Sequence, residues 1–130
     1  MDLQPHHIGI VVSDLERSTD FYRALGFEVV KDIPAEDGSR AIRFIERAGF
    51  QLELFWYATP AAPMAPPAGK GQLGFRHLAL RTDDVDAELA RLKDAGVAPD
   101  DLEVRRVPAG YSLVFLRDPD GLEIEIMQED

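Results

Sequence analysis

Two histidines and a few glutamates are the side chains of this chain best suited to chemistry. His7 and His77 each open a short alternating segment, His7-Ile8-Gly9-Ile10-Val11-Val12 and His77-Leu78-Ala79-Leu80-Arg81-Thr82. Successive side chains on a strand point to opposite faces. His7, Gly9 and Val11 therefore share one face, against Ile8, Ile10 and Val12, and His77 and Ala79 oppose Leu78 and Leu80. The same parity sets Gln51, Glu53, Phe55 and Tyr57 against Leu52, Leu54 and Trp56, and Glu123, Glu125 and Met127 against Ile124 and Ile126. One face of each segment is thus an aliphatic stripe fit to be covered by a helix. The other carries one or two metal-capable groups among apolar or small neighbours. Imidazoles and carboxylates on a partly buried face are costly unless they are paired or bound to a metal. For any one of them alone, contact with water is the commoner explanation. Two imidazoles with carboxylates, drawn from matching strands, point instead to one divalent ion: Zn, Ni, Co, Mn or Fe.

The elements that must position these groups come in duplicate. The segment His7 to Leu15 is answered by His77 to Val85. Each runs into a helix N-cap candidate, Ser13 or Asp83, and Ser13-x-x-Glu16 has capping-box spacing. Leu15, Tyr22 and Leu25 recur at helical spacing, as do Val85, Leu89 and Leu92. Gly26 and Gly96 stand where a left-handed residue ends a helix. Strands are expected over 27–31, 40–46 and 51–57 in the first half, and over 102–107, 111–117 and 122–128 in the second. Ile42-Arg43-Phe44-Ile45 matches Leu113-Val114-Phe115-Leu116, and Asp118-Pro119-Asp120-Gly121 is a turn with proline second and glycine fourth. Residues 59–71, rich in proline and alanine, read as an extended linker. The expectation is α+β: two tandem βαβββ modules, 1–58 and 72–130, forming a curled, cup-shaped mixed sheet with the helices outside. Each half is too small to stand alone, so the two should pair within a single domain.

The 130 residues and 45% hydrophobic content suit a globular protein. No apolar run reaches the roughly 20 residues of a membrane span. Asp2 and Gln4-Pro5 break any signal-peptide pattern. The absence of cysteine rules out disulfides, thiolate ligands and a cysteine nucleophile, and fits a cytoplasmic setting. A net charge of −10 argues against nucleic acid or an anionic membrane as partner. Arg43, Arg81, Arg105 and Arg106 are the candidates for a local basic spot. Arg105, Arg106 and Tyr111 read as an ordinary solvated hairpin, and Met64 and Trp56 as packing.

Taken in order, these residues resemble the vicinal oxygen chelate superfamily, which includes glyoxalase I, extradiol dioxygenases, fosfomycin-resistance enzymes, methylmalonyl-CoA epimerase and bleomycin-binding proteins. The resemblance rests on His7 through Ser18 with Phe21-Tyr22 and Leu25-Gly26-Phe27, on Leu52-Glu53-Leu54, on Gly74-Phe75-Arg76-His77-Leu78-Ala79, and on Asp118-Pro119-Asp120-Gly121 leading to Ile124-Glu125. It implies a metal held by His7, Glu53, His77 and Glu125. Glu123 shares the face of Glu125, but the register of the family's turn selects Glu125. His6 would point to the opposite face, as a bystander. This ligand set is similar to that of glyoxalase I, where the metal stabilises an enediolate and a carboxylate, here Glu125 or Glu53, moves a proton between adjacent carbons. Two positions depart from glyoxalase I: Val11 replaces an arginine and Tyr57 an asparagine, both contacts to glutathione in that enzyme. With Phe55 and Phe75 they imply an apolar substrate pocket and argue against glutathione as cosubstrate.

Three functions fit the resemblance. The first is a metal-dependent lyase or isomerase acting on a small carbonyl compound. The second is extradiol cleavage of a catechol by iron on a 2-His-1-carboxylate triad of His7, His77 and Glu125, against which Glu53 would block an open coordination site. The third is a small-molecule-binding or antibiotic-resistance protein, whose relatives lack the metal ligands. A homodimer is expected, with each site built within one chain or from modules of two.

Overall fold

The computed structural model describes residues 2–63 and 73–130. They fall in two compact units, Met1–Pro63 and Met64–Asp130. Of the expected linker, residues 64–71 lie outside the described residues, as does Met64.

In the first unit, β1 (His7–Val11) leads through α1 (Leu15–Ala24) to β2 (Glu28–Pro34), β3 (Arg40–Arg47) and β4 (Phe50–Tyr57). The strands form one mixed sheet in the order β1-β4-β3-β2, with β1 parallel to β4 and the other pairs antiparallel. A parallel pair needs a long crossover between its strands, and α1, β2 and β3 provide it. The second unit repeats the plan with β5 (Leu78–Arg81), α2 (Val85–Asp94), β6 (Arg105–Val107), β7 (Tyr111–Arg117) and β8 (Glu123–Glu129). Its sheet order is β5-β8-β7-β6, again with the first and last strands parallel. The chain is therefore α+β, two βαβββ modules each with its own four-stranded sheet.

Parity read from the sequence matches burial. Leu52 and Leu54 on β4, and Ile124 and Ile126 on β8, are buried, while Glu53 and Glu125 between them are partly open. In the first unit the core adds Phe21, Tyr22 and Phe27, whose rings meet edge to face around Tyr22 at 5.2 and 5.9 Å. In the second, Val85, Leu89 and Leu92 of α2 are buried, as their spacing requires. The face of α1 departs from simple amphipathicity, because Ser18 and Thr19 are buried too. Thr19 Oγ1 donates to the Leu15 carbonyl at 2.6 Å and accepts from Arg43 Nη1 at 3.0 Å. Arg43 itself reaches Asp32 at 2.7 Å and Glu16 at 2.9 Å, and the hydrogen bond to Asp32 chiefly holds its pKa above the ordinary arginine value. The guanidinium expected as a basic spot is thus neutralised inside a network.

Both helix starts lie one residue beyond the expected cap. Asp14 accepts from the Arg17 amide at 3.0 Å and Asp84 from Ala87 at 2.9 Å. Glu16, in the first turn of α1, extends its carboxylate to Arg43 at 2.9 Å. Gly26 and Gly96 take positive φ (93° and 75°) just past the helix ends, as expected. Two strands differ from the expected bounds by more than one residue. β2 runs on to Pro34 with Val30 bulged out of register against β3, and β6 begins only at Arg105. Arg106 pairs with Asp86 at 2.7 Å, both largely solvated, in keeping with a surface hairpin. Among the described residues no helix is long and apolar enough to cross a membrane.

Candidate metal centre

The paired strands bring each histidine to its glutamate by the same register. Gly9 stands opposite Glu53 across β1 and β4, so His7, two residues back on the same face, lies diagonal to it. Ala79 stands opposite Glu125 across β5 and β8, and His77 takes the matching diagonal just ahead of its strand. His7 Nε2 is 3.6 Å from Glu53 Oε2, and His77 Nε2 is 2.7 Å from Glu125 Oε2. The glutamates are 15% and 12% exposed and the histidines 35% and 26%, so both pairs are semi-enclosed and reachable. Glu123 lies opposite Arg117, and the partner of His77 is Glu125.

A third residue completes each pair. Phe44 is the cross-strand neighbour of Glu53 on β3, and its ring meets His7 edge to face at 5.4 Å. Phe115 is the neighbour of Glu125 on β7 and meets His77 at 5.2 Å. These flanking rings limit rotation of the imidazoles and dry one side of each pair. Sequence reasoning did not single them out as site residues. The signal was present, because the match of Ile42-Arg43-Phe44-Ile45 to Leu113-Val114-Phe115-Leu116 places the two phenylalanines in equivalent positions.

His6 corrects the parity argument. It lies before β1, where alternation does not apply, and its Nδ1 is 2.7 Å from Nδ1 of His7. Further along the His7 face, Val11 pairs with Phe55, and the rings of Phe55 and Tyr57 stack at 6.5 Å with 10° between their planes. Val11 and Tyr57 are exposed, so three of the four expected substrate contacts form one apolar surface beside the His7–Glu53 pair. Phe75, the fourth, belongs to the other unit, 92% exposed and two residues ahead of His77.

The donor chemistry can be tested against a metal. Two donors about 2.1 Å from one ion, at angles of 90° to 109°, stand about 3.0–3.4 Å apart. The observed 3.6 and 2.7 Å bracket that range. Nε2 and carboxylate oxygen are also fitting ligand atoms for a borderline divalent ion. Within each unit, one histidine and one glutamate therefore stand near the spacing of two ligands on one ion. Among the described residues, no group of three or more such side chains is gathered together.

The family model described as "Glyoxalase/Bleomycin resistance protein/Dioxygenase superfamily" matches residues 4–126. The uncharacterized protein YaeR of Escherichia coli (strain K12) is 32% identical over 97% of this chain and 96% of its own. Human mitochondrial methylmalonyl-CoA epimerase is 26% identical over 95% of this chain and 72% of its own. The crystal structure of SMU.1112c superposes with a TM-score of 0.81 at 30% identity, covering 96% of this chain and 98% of that one.

Proposed function

Because the chain belongs to the glyoxalase/bleomycin resistance protein/dioxygenase superfamily, we propose that it is a divalent-metal-dependent lyase or isomerase that moves a proton beside the carbonyl of a small substrate, through an enediolate. The observation that carries this reading is the repeated His–Glu pair, built twice by one register, with nitrogen and oxygen 3.6 and 2.7 Å apart. His7, Glu53, His77 and Glu125 would hold the ion. Either pair alone has too few donors, so the proposal needs both at one ion, within a chain or between the modules of a homodimer. When bound, the ion would supply Lewis-acid stabilisation of the oxyanion that develops as the proton leaves.

The remaining chemistry belongs to the chain's own side chains. A carboxylate beside the substrate carbon takes the proton and returns it to the neighbouring carbon. Glu53 or Glu125, each partly shielded from water, would take this role. Val11, Phe55 and Tyr57 offer an apolar wall that favours a small hydrophobic substrate over the charged glutathione tripeptide. An epimerase among the relatives fits the same class, because inverting a carbon next to a carbonyl also removes and returns a proton. The stacked Phe55 and Tyr57 favour a second reading, in which His7, His77 and Glu125 would hold iron and a catechol would be opened by dioxygen, both of whose oxygen atoms end in the product. Elemental analysis of the purified protein, followed by assays of hemithioacetal isomerisation and catechol cleavage, separates the two. Isomerisation with Zn, Ni, Co or Mn that is lost in Glu53→Gln supports the first. Iron-dependent ring opening that survives Glu53→Gln supports the second, and a metal-free protein with neither activity refutes both.

A further inference from the structure

The contact between His6 and His7 joins two imidazoles nitrogen to nitrogen. Their Nδ1 atoms are 2.7 Å apart and the rings cross edge to face, centroids 5.0 Å apart and planes at 82°. At that distance one nitrogen carries a proton and the other offers a lone pair. The choice decides what His7 presents at its other end. If His6 donated, neutral His7 would keep its proton on Nε2 and turn an N–H toward Glu53. If His7 donates from Nδ1, its Nε2 lone pair is free on the side where Glu53 lies 3.6 Å away.

We propose that His6 is a positioning residue for the metal centre: its Nδ1 accepts the Nδ1–H of His7, which holds that ring's rotation and tautomer and presents Nε2 to the ion. The inference rests on the reading of His7 as a ligand. Outer partners of this kind orient metal-binding histidines, and their loss typically weakens binding by about 10- to 100-fold. The two halves of the chain differ here. His77 Nδ1 is buried with no hydrogen-bond partner among the described residues, and the residue ahead of it, Arg76, has no lone pair to accept a proton. His7 is the more exposed histidine and lies farther from its glutamate, so its ring has more freedom for a neighbour to remove.

The test uses the untagged full chain and Ni²⁺ as the probe. Binding is measured by calorimetry for the wild type, His6→Ala, His6→Asn and His7→Ala, and ¹⁵N NMR of the metal-free protein reads the ring tautomers. The wild type should show His7 protonated at Nδ1. His6→Ala should erase that preference and weaken Ni²⁺ binding by about 10- to 100-fold. His6→Asn, whose Oδ1 replaces the accepting nitrogen, should recover most of both. A wild-type His7 protonated at Nε2, or a His6→Ala variant that binds like wild type, overturns the positioning role. Undiminished binding by His7→Ala would overturn the metal centre itself, so the two failures are told apart.

Discussion

Replacing Glu53 by glutamine should remove most of the metal-dependent stabilisation while leaving the metal-free fold nearly intact. A ligand present at 100 times its Kd stabilises the native state by about 2.7 kcal/mol. Unfolding entropy of about 2.1 cal/mol/K per residue gives about 0.27 kcal/mol/K for this chain of 130 residues. The melting temperature of the wild type should therefore rise by about 10 °C at that Ni²⁺ concentration. In the metal-bound state Glu53 would be one partner of a part-buried charge pair with the ion, and losing such a partner costs about 3 kcal/mol, so affinity falls by about 100-fold. The same Ni²⁺ concentration then equals the new Kd, and the gain shrinks to about 0.4 kcal/mol, or 1–2 °C. Without metal the variant should melt within about 4 °C of wild type, because a part-exposed pair at 3.6 Å contributes about 1 kcal/mol at most. Thermal unfolding followed by circular dichroism, with and without Ni²⁺ and with exposed Glu129→Gln as a control, reads all three values. Equal rises in wild type and Glu53→Gln would refute the ligand assignment, and no rise in wild type would refute the metal centre.

Two further outcomes follow from the local geometry. Asp118 is buried and its Oδ1 accepts the amides of Asp120 at 3.0 Å and Leu122 at 2.8 Å, so Asp118→Ala should lower stability by about 2–4 kcal/mol in urea unfolding, and Asp118→Asn by roughly half as much. At Gly9 an added Cβ would meet Phe55 Cε2 at 3.2 Å, whereas the matching position in the second half is already Ala79, with Met127 where the first half has Phe55. Gly9→Ala should therefore be about 0.5–1 kcal/mol more favourable in a Phe55→Met background than in wild type, read by a double-mutant cycle.

Alternation along β1, β4, β5 and β8 was written in the sequence. A period of two depends only on each strand's own backbone, so the faces carrying His7, Glu53 and Glu125 were assigned before any strand was paired, and His77, one residue ahead of β5, keeps to the same alternation by reaching Glu125. The βαβββ duplication and the glycines past each helix were legible for the same reason, as local signals set by nearby residues. Chemistry that crosses strands was decided by tertiary structure. Which ring flanks an imidazole depends on register between segments some forty residues apart, and Phe44 and Phe115 became neighbours of His7 and His77 only through β3 and β7. The caps fell on Asp14 and Asp84, and Thr19 was buried where Arg43 gathers it with Glu16 and Asp32. His6 escaped because parity holds only inside a strand, and its approach to His7 belongs to the turn of chain ahead of β1. Local sequence thus settled which way each side chain points, while the pairing of distant segments settled what each one touches.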